Sequence, residues 1–323
     1  MNDLTRRRVL AGAGGLAAGS VGLAGWRLAR QPKARVMTIR AQSYDVDLAD
    51  LLLQGIRAFP KTVARAKGAR VVLKPNLVEY NPGRPINTDP RVVAAAAAAF
   101  IELGAASVVV AEGPGHRRDT ELLVEASGLA AALDRVRVPF VDLNVDRIDE
   151  VTLPLNVTGM KRMSIGQTVT RADLLVSVAK MKTHHWAGVT LTMKNLFGTV
   201  PGSVYGWPKN PLHWAGIDTS ILELWSALSP GFGIIDGIVG MDGDGPIMGD
   251  PKHTGALVMG ENLPAVDATA ARLMGMWPEV IRYLDRASYN GGTIAPSRIE
   301  VAGDVIAPDD YRVLDHLSHI KAS

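Results

Sequence analysis

Arg70-Val71-Val72-Leu73-Lys74-Pro75-Asn76 is the stretch on which the fold turns. Three consecutive apolar residues, two of them β-branched and bounded by charge and proline, read as a buried strand. Residues 89–103 follow with a helical pattern, with Thr88 or Asp89 as cap and Gly104 as stop. Residues 107–111 (Ser-Val-Val-Val-Ala) read as a second buried strand, 120–133 as a helix and 139–143 as a third strand. This β-α-β-α-β rhythm predicts an α/β protein: a mostly parallel sheet with helices on both faces.

Outward from this unit the pattern loosens. Residues 151–172 look like antiparallel strands and turns, and 173–179 like an apolar strand. Residues 180–217 are rich in Gly, Trp and Pro and read as a long loop-rich insertion. A helix is expected over 218–228, a strand over 233–239, a helix over 265–274 and a last strand over 298–302. No linker interrupts the chain, so residues 35–323 read as one α/β domain with loop-rich and antiparallel insertions. Two lobes divided near residue 150 are the alternative.

Ligands of open parallel sheets sit beyond the carboxyl ends of the strands. Unusual segments fall there: Lys74-Pro75-Asn76, Glu112-Gly113-Pro114-Gly115-His116-Arg117, Lys180-Met181-Lys182-Thr183-His184-His185-Trp186, and Asp242-Gly243-Asp244-Gly245-Pro246. Lys74, Lys180, Lys182 and Lys194 suggest a cationic pocket for a carboxylate or phosphate. Asn76, Glu112 and Asn195 are expected to line it beside the lysines as substrate-binding groups. His184 and His116 are acid/base candidates. On a strand His184 and adjacent His185 would point to opposite faces, which would leave one to function and the other to pack. Asp242, Asp244 and His213 are candidate ligands for a divalent metal. Asp242-x-Asp244-Gly resembles the start of a calcium loop, but its twelfth position is His253, which argues against an EF-hand. No G-x-G-x-x-G, Walker A or G-x-S-x-G motif is present.

Together these segments resemble the family described as domain of unknown function 362. The likeness rests on Lys74-Pro75-Asn76, Thr88-Asp89-Pro90, Glu112-Gly113-Pro114-Gly115, Lys180-Met-Lys182-Thr-His184, Lys194-Asn195-Leu-Phe-Gly198, Pro201-Gly202 and Asp236 through Pro246. Some members of that family carry cysteine-ligated clusters. This chain has no cysteine, so that redox role does not transfer. A weaker similarity joins His184-His-Trp-Ala-Gly188, Lys194, Pro201-Gly202 and His116-Arg117 to the nickel-pincer lactate racemases. It implies catalytic roles for His184, His116 and Lys194, and a metal-ligand role for His213. Val189-Thr-Leu-Thr-Met193 replaces the racemases' Gly-rich stretch with larger side chains, so the same cofactor is not expected.

The chain begins Met1-Asn2-Asp3-Leu4-Thr5-Arg6-Arg7-Arg8-Val9-Leu10, followed by a Gly/Ala-rich apolar run to Trp26 and then Arg27, Arg30 and Lys33. Paired arginines ahead of a short apolar run have the form of a twin-arginine export signal. Residues 1–34 are therefore expected to engage the twin-arginine translocase and direct the protein to the periplasm. No clean A-x-A site stands out, so cleavage and retention as a membrane anchor both stay open. The net charge of +3 hides an asymmetry: residues 1–40 carry eight Lys/Arg and one acid, leaving 27 basic and 31 acidic groups in the rest. A mildly acidic body argues against nucleic acid as a partner. Zero cysteines exclude disulfides, thiolate zinc sites and cysteine-ligated iron–sulfur clusters.

The expected function is an enzyme acting on a small anionic molecule. A non-catalytic periplasmic anion-binding protein is one alternative. A cofactor-handling or assembly factor for an exported redox enzyme is another.

Overall fold

The computed structural model describes Leu28 and residues 31–115, 119–206 and 209–322. The expected export signal falls almost wholly outside these residues, and so does His116. Eleven strands are described: β1 (Ala34–Arg40), β2 (Arg70–Pro75), β3 (Ser107–Glu112), β4 (Phe140–Asp142), β5 (Ile148–Thr152), β6 (Arg162–Gly166), β7 (Leu174–His184), β8 (Gly188–Thr190), β9 (Phe232–Asp242), β10 (Asp250–Gly260) and β11 (Ile299–Gly303). Nine of them form one sheet in the order β11-β1-β10-β9-β7-β2-β3-β4, with β8 paired to β7. The β1–β11, β7–β9, β2–β7, β2–β3 and β3–β4 pairs are parallel. The β1–β10, β9–β10 and β7–β8 pairs are antiparallel. The sheet is thus mostly parallel, and β5 and β6 form a separate antiparallel pair.

One face of the sheet is covered by α1 (Leu48–Arg57), α2 (Pro60–Ala66), α3 (Pro90–Glu102), α4 (Thr120–Ala126) and α5 (Leu129–Val136). The other is covered by α6 (Thr192–Asn195), α7 (Asn210–Trp214), α8 (Ile217–Leu228), α9 (Leu263–Leu273) and α10 (Arg282–Ala287). Period-two alternation divides the strand residues between these layers. Val71, Leu73, Leu174, Val176 and Val178 belong to the first core. Val72, Leu175, Ala179 and Ile235 belong to the second. A strand buried on both faces needs apolar residues at every position, which is why Val71–Leu73 is an unbroken apolar run.

Three local findings sharpen the sequence reading. Asp89 is the cap of α3: its side chain accepts from the Arg91 N–H, with Pro90 in the first turn. Thr88 instead accepts from the Asn76 N–H and donates to the Val178 carbonyl, tying the end of β2 to β7. The single helix expected over 120–133 is two helices, because Gly128 adopts φ +77° between them. The strand expected over 173–179 runs on to His184, and all eleven of its residues are buried. Lys180, Lys182 and His184 hid that continuation, since charged residues rarely occupy a fully buried strand.

Lys180 is the clearest correction to the expected anion pocket. Its ammonium group donates to Asp236 and to the Tyr44 hydroxyl, both at 2.8 Å, and the side chain is about 2% exposed. Asp236 also accepts from the Tyr44 hydroxyl at 2.8 Å, the Asp89 N–H at 2.9 Å and the Ile238 N–H at 3.3 Å. Burial and Asp236 raise the Tyr44 pKa and keep the phenol protonated. This knot joins β7, β9, the start of α3 and the segment after β1. Lys180 lies in the frame of the protein and does not face a ligand cavity. Removing one partner of a buried pair strands the other charge, at a cost of about 3–5 kcal/mol. Lys180→Met is expected to lose stability of that order in urea unfolding, with anion affinity unchanged in calorimetry.

Candidate functional site

The carboxyl ends of β2, β3 and β7 meet α6. Lys74 leaves β2 and Glu112 leaves β3, and the two form an ion pair whose side chains are 1% and 2% exposed. Lys74 Nζ also donates to Asn195 Oδ1 at 3.0 Å and to the Pro75 carbonyl at 2.8 Å. Asn195 returns two bonds through Nδ2, to the Lys74 carbonyl at 2.8 Å and to Ser177 Oγ at 3.0 Å. Glu112 Oε1 accepts from the Gly113 N–H at 2.8 Å. Burial pushes the Lys74 pKa down and Glu112 opposes the shift. A Cβ on Gly198 would lie 1.6 Å from Glu112 Oε1, so only glycine fits against this pair.

Above the pair opens a cavity of about 580 Å³. Lys74, Asn76, Glu112, Lys182, His184, Lys194, Asn195 and His213 all line it, so eight residues singled out in the sequence share one space. Lys180, Asp242 and Asp244 do not line it. Asp242 is clamped by Arg312 at 2.8 and 3.0 Å, and Asp244 lies 3.9 Å from His185 Nδ1. The candidate metal set of Asp242, Asp244 and His213 is therefore not assembled. Among the described residues no three His, Asp or Glu side chains converge to hold a metal ion.

Three more lysines face the cavity. Lys182 is fully buried, and its ammonium group donates to the Ile86 and Pro246 carbonyls at 2.7 and 3.2 Å. Burial, with help from Lys194 and Lys180, pushes its pKa well down. Lys194 Nζ sits 3.7 Å from the centre of the Phe197 ring, and burial together with Lys74 and Lys209 lowers its pKa to about 7. Lys209 is buried and donates to the Gly113 carbonyl at 2.6 Å; burial lowers it to about 7 as well. None of the three has a carboxylate at ion-pairing distance among the described residues. Lys209 escaped the sequence reading. Its one local signal is the bracketing by Pro208 and Pro211, and it adopts φ +65°, a strained conformation for a lysine.

The histidines are held in opposite tautomers. His184 Nδ1 accepts from the Trp186 and Ala187 N–H groups at 3.1 and 3.2 Å, which assigns the proton of the neutral ring to Nε2. Burial and the surrounding lysines push its pKa well down, so the neutral form prevails. His185 Nδ1 lies 2.9 Å from the Gly245 carbonyl, which can only accept, so the neutral tautomer of His185 has its proton on Nδ1 and its lone pair on Nε2. Strand alternation predicts opposite faces for these two rings. Both line the cavity, with centroids 4.9 Å apart, because β7 ends at His184 and the following turn carries His185 back. His213 completes the set, with burial lowering its pKa.

Unsatisfied polar atoms gather in the same place. Asn76 Oδ1 and Thr190 Oγ1 are buried without a partner, and both residues line the cavity. A buried polar atom left unpaired costs about 1–3 kcal/mol, which a bound polar ligand would recover.

The profile for the family described as domain of unknown function (DUF362) matches residues 71–272. The chain belongs to this family. It is also 30% identical over 262 residues to a thylakoid-associated protein of Synechocystis sp., covering 76% of each chain. Two solved structures match at lower similarity. One is the lactate racemase apoprotein of Thermoanaerobacterium thermosaccharolyticum, 14% identical with a TM-score of 0.49 over 76% of this chain and 57% of that one. The other is a Thermotoga maritima protein, 12% identical with a TM-score of 0.40 over 69% of this chain and 58% of that one. This DUF362 member thus spans less than two thirds of either solved protein. Among its described residues no helix is long and apolar enough to cross a membrane.

The desolvated lysines of the cavity make stability depend on pH. Lys194 and Lys209 hold folded values of about 7, against 10.5 when unfolded. Between these values the unfolded chain binds more protons, so stability rises with pH through that window. Below pH 7 both states are protonated and the whole penalty stands. Asp267, raised by burial to about 7, acts only below that point. The melting temperature of the ligand-free protein is expected to climb from pH 7 to pH 9 in differential scanning calorimetry, and Lys209→Met is expected to flatten the climb.

Proposed function

We propose that this DUF362 protein is an exported enzyme acting on a small anionic substrate in the lysine-lined cavity. The observation that carries the reading is the charge imbalance: Lys182, Lys194 and Lys209 face one cavity, while the one carboxylate among its described lining residues, Glu112, is taken by Lys74. Ammonium groups held away from water with only carbonyl or ring partners favour an incoming anion. The anion in turn raises the lysines' proton affinity and keeps them charged.

The same groups supply acid–base chemistry. His184 presents Nε2–H as a fixed, neutral donor, suited to polarising a carbonyl or stabilising developing negative charge. The sequence makes His184 an acid/base candidate, and as the neutral Nε2–H tautomer it fits the donor half of that role. Neutral His185 has its lone pair on Nε2, and Lys194 near 7 is a ready proton acceptor at neutral pH. His116 keeps the proton-transfer candidacy that its sequence position suggests. Imidazole donors and acceptors beside the lysines are more than retention of an anion needs, and this favours an enzyme over a binding protein.

Export rests on Arg6-Arg7 and the apolar run behind them, and on the thylakoid association of the Synechocystis relative. Arg6→Lys with Arg7→Lys is expected to hold the full chain in the cytoplasm, read by fractionation of the expressing bacterium.

For the site, acetate and inorganic phosphate are the probes. Lys182→Met and Lys209→Met are each expected to weaken calorimetric binding by about tenfold, the loss of one charge-assisted contact. Wild-type affinity is expected to fall as pH rises from 7 to 9, as Lys194 and Lys209 lose their protons. Binding that is indifferent to both substitutions and to pH would overturn the anion reading.

A further inference from the structure

The lysines account for the charge of the cavity, and much of its remaining lining is aromatic. His184, His185, Trp186, His213 and Phe197 form a continuous chain of rings. Successive centroids lie 4.9 Å (His184–His185), 4.6 Å (His185–Trp186), 5.7 Å (Trp186–His213) and 5.9 Å (His213–Phe197) apart. All five rings line the cavity, and so does Trp214. Trp186 and Trp214 remain 62% and 79% exposed. Indoles are usually buried in large part, and two of them standing open beside one cavity mark a surface that something covers.

Size points the same way. A cavity of 580 Å³ lies in the range of about 300–1,000 Å³ that encloses ligands of drug-like size. An acid of two or three carbons would fill a small part of that volume and leave Trp186 and Trp214 uncovered. The unpaired Thr190 Oγ1 and Asn76 Oδ1 add places for a ring substituent that accepts or donates a hydrogen bond.

We infer that the substrate is an aromatic anion, a planar ring system bearing a carboxylate or phosphate. Its charge sits among Lys182, Lys194 and Lys209, and its ring lies along the wall from His185 to Trp214. This inference rests on the anion reading above and adds the body to which the charge is attached. Stacking and edge-to-face contacts with the wall hold the ring, and the lysines set its polarity.

The test titrates the full chain calorimetrically with acetate, 2-naphthoate, dodecanoate and the uncharged 2-naphthalenemethanol. 2-Naphthoate is expected to bind at least about tenfold tighter than acetate, and tighter than dodecanoate. Trp214→Ala, a change at an exposed position, is expected to weaken 2-naphthoate by about tenfold and to leave acetate unchanged. Equal affinity for acetate and 2-naphthoate, or a preference for dodecanoate, overturns the aromatic assignment while the anion site stands. The same holds if Trp214→Ala leaves 2-naphthoate binding unchanged. Equal affinity for 2-naphthoate and its uncharged alcohol overturns the anion site itself. Absence of binding by all four overturns both.

Discussion

An ammonium group inside a protein must find oxygen or give up its proton, and five lysines of this chain meet that demand in different ways. Lys74 takes Glu112 and Asn195, and Lys180 takes Asp236 and Tyr44. Lys182 finds only backbone carbonyls, Lys209 likewise, and Lys194 rests on an aromatic ring. The first two are ion pairs that lock strand to strand. The other three are left short of negative charge around one space. Frame and site are thus built from the same residue type and are told apart by the carboxylates available.

The Lys74–Glu112 pair sets the geometry of everything around it. Glu112 has no room beside a side chain at position 198, so the turn after α6 presents glycine there. Asn195 is locked to the pair and to Ser177, which fixes α6 and therefore Lys194. Asp267 accepts from the Thr192 and Met193 N–H groups at 2.8 and 3.0 Å and anchors the other end of that short helix from α9. A four-residue helix has little stability of its own, so its position is set by these bonds.

Much of this was legible in the chain itself. The β-α-β rhythm, the two-faced sheet, and the placing of Lys74, Asn76, Glu112, Lys182 and His184 near strand ends follow from local pattern, while Lys194, Asn195 and His213 were expected in a loop-rich stretch and lie on short helices. Less legible were features that depend on partners distant in sequence. Lys180 and Lys182 stand two residues apart in Lys180-Met181-Lys182, yet one meets Asp236 and the other a cavity. Asp242 looked like a ligand until Arg312, seventy residues on, was found to hold it. The two adjacent histidines defied strand alternation because the strand ends between them.

What the sequence alone determined is the architecture and the stock of chemistry. Apolar runs with helical intervals specify a mostly parallel sheet, the lack of cysteine removes thiolate sites, and lysines and histidines gather along one rim. What the tertiary structure decided is which of those groups remain available. A carboxylate beside a lysine cancels it, a backbone N–H against an imidazole nitrogen settles where its proton sits, and a buried lysine such as Lys209 becomes part of the site only through residues far away in the chain. These are contacts across the fold, and no spacing within a single segment encodes them.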